Sequence, residues 1–263
     1  MKRLPRISII TPSYNQAAFI EQTILSVLNQ DYPDLEYIVM DGGSTDGTLE
    51  ILKKYNGRLI WISEPDRGQS HAINKGFSMA TGEVLAFLNS DDLYEPGALI
   101  KVGQFFAENS EAVWLTGRCH IIDKDGKEIR KAITSYKNFW LRMGGYRTLQ
   151  ILNFISQPAT FWQRAVVESI GPFDETLEYS MDYDYSLRVG QHHPWHVLDL
   201  YLASFRIHPT SKAGFSASAQ FLSDFKIIKG HTSSRCYILM HWMHNTLIIN
   251  IYKLLQHQHH NIA

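Results

Sequence analysis

Over its first half the chain alternates between two kinds of segment, and that alternation limits the fold more than any other feature. Apolar, largely β-branched runs fall at Ile7–Thr11, Tyr37–Met40, Leu59–Ile62 and Val84–Leu88. Segments with helical spacing follow them, over Phe19–Leu28, Thr48–Tyr55, Ser70–Met79 and Gly97–Phe106. Strands apolar on both faces that alternate with helices predict an α/β fold with a parallel sheet covered on both sides. Asp46 is placed to start the second helix, and Pro96 to be the first residue of the fourth.

In such a sheet, ligands sit outside the carboxyl ends of the strands. The polar clusters of this chain fall at those ends. The four runs lead into TPSYN, DGGSTDGT, EPDRGQS and NSDD, so four separate segments converge on one rim. DGGSTDGT offers glycines for a tight turn and close backbone approach, with a helix N-terminus behind it. It matches neither GxGxxG nor GxxxxGK[ST], which disfavours dinucleotide and P-loop readings. An ordinary turn with Asp46 as cap is the plainer reading. Arg67 either grips a phosphate or pairs in solvent with Asp66 or Glu64.

NSDD ends a run that reads as buried, and its adjacent carboxylates repel each other and resist desolvation. One carboxylate caps the next helix while the other sits in solvent, or the pair faces a divalent cation. Hard oxygen donors suit Mg²⁺ or Mn²⁺, which take one or two protein carboxylates plus substrate phosphates. Farther on, Asp182 and Asp184 in MDYDYSLR either complement a helix dipole or supply a general base. His208, in SFRIHPTSK with Arg206, Ser211 and Lys212, is by itself more readily structural than a ligand. The His-rich end reads as a solvated tail.

Beyond residue 110 the pattern changes. AVWLTGRCHIIDKDGKEI predicts two strands around an Asp125-Gly126 turn. An aromatic-rich region follows, in which Tyr136–Tyr146 and Phe161–Trp162 are either acceptor surface or core. CYILMHWMHNTLIINIYKLL predicts a helix packed on the domain or on a second subunit. The alternative is a helix in a membrane interface, with Trp242 and Tyr252 at headgroup depth.

The chain has 263 residues, 44% hydrophobic and 19% charged, enough for one large domain with a core. A net charge of −1 gives no overall basic field for nucleic acid. Cys119 and Cys236 lack CxxC spacing, so a reducing cytoplasm is expected, without a disulfide framework. The N-terminus makes a poor signal peptide and a better first strand, and no uninterrupted apolar stretch is long enough to span a membrane.

Taken together, SIITPSYNQAAFIEQTILSVLNQ, VMDGGSTDGT, SEPDRGQSHAINKGFSMATGEVLAFLNSDD, QPATFW, GPFDETL and MDYDYSLR resemble the family 2 glycosyltransferases, in family order over residues 7–212. That family comprises inverting enzymes with the GT-A fold. The chain also resembles a bacterial subgroup that builds cell-surface polysaccharides. The resemblance implies that Pro12 and Tyr14 border the nucleotide base, with Asp41 and the Gly42–Gly43 turn near the nucleoside. It puts Arg67 by the diphosphate, with Gly68, Asn89 and Ser90 on the donor side. NSDD is similar to a DxD-type motif with Asn89 in place of its first Asp. Asp91 then aligns with the metal-binding carboxylate, Asp92 is a secondary metal candidate, and His208 helps hold metal or diphosphate. Asp182 matches the catalytic base. Two departures stand out. Many relatives carry a second acidic residue, able to read the base, where Gly42 stands here, and Met181 replaces an acidic residue that often precedes the base.

The sequence therefore predicts a metal-dependent inverting glycosyltransferase. It would move a sugar from a nucleotide-sugar donor to a hydroxyl of a glycan or lipid-linked glycan. Residues 1–215 would form the GT-A domain, with 1–110 binding the donor and 111–215 the acceptor, and 216–263 a C-terminal helical extension making any peripheral membrane contact or homo-oligomer. The alternatives are a nucleotidyltransferase that makes the sugar nucleotide, and a non-catalytic nucleotide-sugar or carbohydrate-binding module. The first would want a Gly-rich basic loop after strand one, and TPSYNQAAF is not one. Intact Asp91 and Asp182 argue against the second.

Overall fold

The structure is a computed structural model that describes residues 2–211 and 217–260. Its strands are β1 (Ile7–Ser13), β2 (Leu35–Asp41), β3 (Ile60–Ser63), β4 (Val84–Phe87), β5 (Leu93–Tyr94), β6 (Trp114–Ile122), β7 (Thr160–Gln163) and β8 (His196–Arg206). They form one sheet in the order β3-β2-β1-β4-β7-β6-β8-β5. β1 runs parallel to β2 and β4, and β2 parallel to β3. β7 is antiparallel to both β4 and β6, while β8 is parallel to β6 and antiparallel to β5. The helices used below are α1 (Ile20–Leu28), α2 (Thr48–Lys54), α3 (Gln69–Met79), α4 (Ala98–Glu108), α5 (Lys131–Met143), α6 (Tyr146–Leu149), α7 (Arg164–Ile170), α8 (Met181–His192), α9 (Ala217–His231) and α10 (Arg235–His260).

The parallel half forms because its strands are apolar on both faces. Successive strand side chains point to opposite sides. Ile7, Ile9, Val39, Val84 and Ala86 pack against Ile20, Ile24 and Val27 of α1 and Leu99 and Val102 of α4. Ile10, Ile38, Met40, Leu85 and Phe87 pack on the other face with Ala72, Ile73 and Phe77 of α3 and Tyr183 and Tyr185 of α8.

Three sequence expectations shift. β3 starts at Ile60, one residue late, and as an edge strand it is only partly buried. Pro96 precedes α4, which begins at Ala98 behind Gly97 at φ 74°. Glu95 N–H bonds to Leu202 O, which ties Pro96 into the turn after β5. Of the expected hairpin only β6 is a strand. Its return makes one bridge, Ile122 to Glu128, while β8 takes one edge of β6 and β7 the start of the other.

Phe161 and Trp162 belong to the core, whereas Phe139 and Met143 are exposed. α10 packs on the domain through its polar side. His241 and Asn245 are buried and joined at 2.9 Å, and the His241 ring stacks on Tyr183. Leu239, Trp242, Met243 and Leu247 face outward. Among the described residues, no helix is long and apolar enough to cross a membrane. Lys212 and the side chains of Tyr252 and of the His-rich end lie outside the described residues.

Candidate active site

The rim begins where β1, β2 and β3 end in register, Ser13 beside Asp41 and Asp41 beside Ser63. Pro12 is buried inside β1, whereas Tyr14 just beyond it is 62% exposed. Asp41 is 2% exposed and builds the glycine turn. Its Oδ2 accepts from Gly43 N–H, Ser44 N–H and Ser63 Oγ, and its Oδ1 from Ser44 Oγ. Gly43 needs its freedom, with φ 85°. Asp46 accepts from Thr48 N–H and Ala17 N–H, so it organises the start of α2 from two residues upstream.

At the end of β4 the two adjacent carboxylates part company. Asp92 is fully buried, with Oδ1 accepting from Arg206 N–H at 2.8 Å and Oδ2 from Asn89 Nδ2 at 3.1 Å. Burial, and then the charge of Asp91, push its carboxyl well above the usual range. Both its oxygens are spent inside the turn, which is the outcome for a residue the sequence offered as a second metal ligand. Ser90 is also buried. Asp91 is only partly exposed, and its Oδ2 lies 3.0 Å from His208 Nε2. The His208 ring is fixed by Thr210 Oγ1 at 2.9 Å from Nδ1 and by packing on Phe19.

Arg206, which the sequence named without a role, holds this turn. It is fully buried and donates to Asp91 O, Asp123 O, Lys124 O and Gln22 Oε1. Its guanidinium lies over the Phe19 ring.

The start of α3 links the turn to a second carboxylate. Gln69 Nε2 donates to Asn89 Oδ1 at 2.6 Å, and Ser70 Oγ meets Met181 Sδ at 2.8 Å. Met181 directly precedes Asp182 in the first turn of α8. Adjacent residues of α3 therefore touch the Asp91 turn and the Asp182 turn, and neighbouring Cα atoms are about 3.8 Å apart. Asp182 is half-buried, and its charge bears on Lys137 of α5 and Asp224 of α9. Burial lowers the Lys137 pKa against the charges of Cys119, Asp182 and Asp224. Burial pushes the Asp224 carboxyl up to about 7, opposed by its Ser180 hydrogen bond and aided by Asp182. Asp184 is committed elsewhere, to Arg188 at 2.9 Å and His231 at 2.8 Å. Burial opposes its ionisation, but those two partners win and its pKa is lowered.

Arg67 is exposed and paired with Glu175 at 2.6 Å, and Gly68 precedes α3 at φ 114°. Gln69 and Ser70 were visible in the sequence only as part of EPDRGQS. Lys137 and Asp224 carry no local signal, because they reach the site from helices far along the chain.

Among the described residues, no three His, Cys, Asp or Glu side chains converge as metal ligands. Asp91 and His208 do come together. The hard carboxylate oxygens of Asp91 suit a Mg²⁺ or Mn²⁺ site completed by substrate phosphates and water, and His208 would join as a ligand by giving up its hydrogen bond to Asp91.

The fold is that of the GT-A glycosyltransferases. A mannosyltransferase, PcManGT of Pyrobaculum calidifontis, solved with GDP-Man and Mn²⁺, superposes with TM-score 0.68 at 19% identity, over 89% of this chain and 67% of that one. The chain belongs to glycosyl transferase family 2, whose model matches residues 8–171. It is 33% identical over 192 residues to a PGL/p-HBAD biosynthesis glycosyltransferase of Mycobacterium tuberculosis, covering 70% of this chain and 69% of the relative. It is 39% identical over 134 residues to TuaG of Bacillus subtilis, named for teichuronic acid biosynthesis, covering 49% of this chain and 52% of that relative.

Proposed function

We propose that this glycosyltransferase inverts configuration while moving a sugar from a nucleotide-sugar donor to a glycan or lipid-linked glycan hydroxyl, in building a cell-surface polysaccharide. The observation that supports this reading is the pair of contacts from Gln69 to Asn89 and from Ser70 to Met181, which brings together the turns that carry Asp91 and Asp182. A Mg²⁺ or Mn²⁺ ion held by Asp91 and His208 would neutralise charge on the departing diphosphate.

The chain's own residues do the rest. Tyr14 offers an exposed ring to the base. The Gly42–Gly43 turn lets backbone approach the nucleoside. Arg67 exchanges Glu175 for the diphosphate. Asp182 takes the proton from the acceptor hydroxyl, a step worth roughly 10²–10⁴-fold in rate. That hydroxyl then attacks the anomeric carbon from the face opposite the diphosphate. Asp92 and Arg206 hold the turn that aims Asp91. We assign residues 1–215 to the transferase domain and 216–263 to a C-terminal extension, of which α9 packs on α8. Cys119 and Cys236 are free thiols, which suits a reducing cytoplasm.

The test is release of nucleoside diphosphate from UDP- and GDP-sugars, with Mn²⁺, with Mg²⁺ and with EDTA. Metal-dependent release supports the reading. Turnover of sugar 1-phosphate with nucleoside triphosphate instead would replace it with a nucleotidyltransferase.

A further inference from the structure

Ser180 leads into α8 as a non-glycine residue in the left-handed region, at φ 60° and ψ 24°. Such a conformation persists only where its surroundings hold it. Here α9 does the holding. Ser223 Oγ donates to Tyr179 O at 2.9 Å, Ser180 Oγ donates to Gln220 O at 3.4 Å, and Asp224 hydrogen-bonds Ser180. Gln220, Ser223 and Asp224 are spaced i, i+3 and i+4, so they share one face of the helix. Two turns on, His231 meets Asp184 at 2.8 Å. Helix α9 therefore grips the chain just before Asp182 and again just after it.

A carboxyl is a costly side chain for packing alone. Asp224 is 3% exposed, and its Oδ1 is buried without a hydrogen-bond partner among the described residues. An apolar side chain would fill the same place without that desolvation penalty. The charges of Asp182 and Lys137 both bear on Asp224, and Tyr183 feels Asp224 in turn.

We propose that α9 positions the general base: Ser223 and Asp224 fix the Tyr179–Ser180 turn, and that turn sets where the Asp182 carboxylate points. This rests on Asp182 acting as that base. Asp224 works through Ser180 and is a positioning residue. Misplacing a reacting group by about 1 Å can cost about 100-fold in rate. The donor-side residues sit on the loops after β1 to β4, so donor KM should hold while kcat falls.

The experiment uses the full chain and two readouts. One is hydrogen–deuterium exchange of the amides of residues 179–184. The other is release of nucleoside diphosphate from UDP- and GDP-sugars to water in Mn²⁺. Asp224→Ala should speed that exchange at least about tenfold. It should lower kcat roughly 10- to 100-fold with donor KM within about twofold. Asp224→Asn keeps the shape and an acceptor for Ser180, and should recover kcat to within about threefold of wild type. Should Asp224→Ala fail to fold, Ser223→Ala carries the test, with kcat at least about threefold down at unchanged KM. Wild-type exchange or wild-type kcat in the folded variant overturns the proposal, as does an equal loss in Asp224→Asn. If Asp182→Asn is inactive in the same assay, that outcome leaves the transferase reading standing. Asp182→Asn at the wild-type rate, or a wild type that releases no nucleoside diphosphate, overturns both.

Discussion

His208 Nε2 lies 3.0 Å from Asp91 Oδ2, across 117 residues of sequence. The short strand β5 makes this possible. It pairs antiparallel with β8, and Arg206 at the end of β8 bonds to the backbone of Asp91 and to the carboxylate of Asp92. His208 follows two residues later and meets Asp91 at the rim.

Metal dependence should follow this pair. Asp91→Asn is expected to lower kcat/KM by roughly 10²–10³-fold, equivalent to several kcal/mol of transition-state stabilisation. His208→Gln should weaken Mn²⁺ activation by about 10–100-fold. Initial rates over a Mn²⁺ series, with EDTA as the blank, measure both.

Arg206→Met should be costly even though Arg206 lies under the rim. It leaves the carbonyls of Asp91, Asp123 and Lys124 without a buried donor. Loss of a buried charged network costs about 3–5 kcal/mol. Urea unfolding reads this, and the folded fraction should also bind Mn²⁺ more weakly.

Asp224 gives stability a pH slope of unusual sign. Its folded pKa is raised to about 7, so the folded chain keeps a proton that the unfolded chain releases near 4. The folded state binds more protons in that window, so the group's contribution falls as pH rises from about 4 to 7 and is flat above. Asp224→Asn should remove the slope, gaining on the order of a few kcal/mol relative to wild type at pH 8. Thermal melts of both proteins across pH give the difference.

His241 acts in the opposite direction. Burial lowers its pKa to about 4, so the unfolded state binds more protons between about 6.5 and 4. Stability from this group is present above pH 6.5 and lost as pH falls toward 4. His241→Phe keeps a ring against Tyr183 and should flatten that loss in the same melts.

Much of this architecture is legible in the sequence. The parallel half follows from four runs apolar on both faces, and their polar ends locate the rim. What the sequence left open were choices between neighbours. Asp91 and Asp92 look alike in NSDD, and Arg206, 114 residues from Asp92, turns the second inward. Asp182 and Asp184 look alike in MDYDYSLR, and His231 on α9 claims the second. The expected hairpin after β6 shrinks to a single bridge, and β6 instead pairs with β7 and β8, partners from far along the chain. Lys137 and Asp224 were invisible for the same reason.

The most direct measurement compares Asp182→Asn with wild type, reading sugar transfer and donor affinity in Mn²⁺ side by side. The account predicts transfer falling by roughly 10²–10⁴-fold with donor affinity unchanged, as for loss of a general base. An Asp182→Asn enzyme that turns over at the wild-type rate would contradict it.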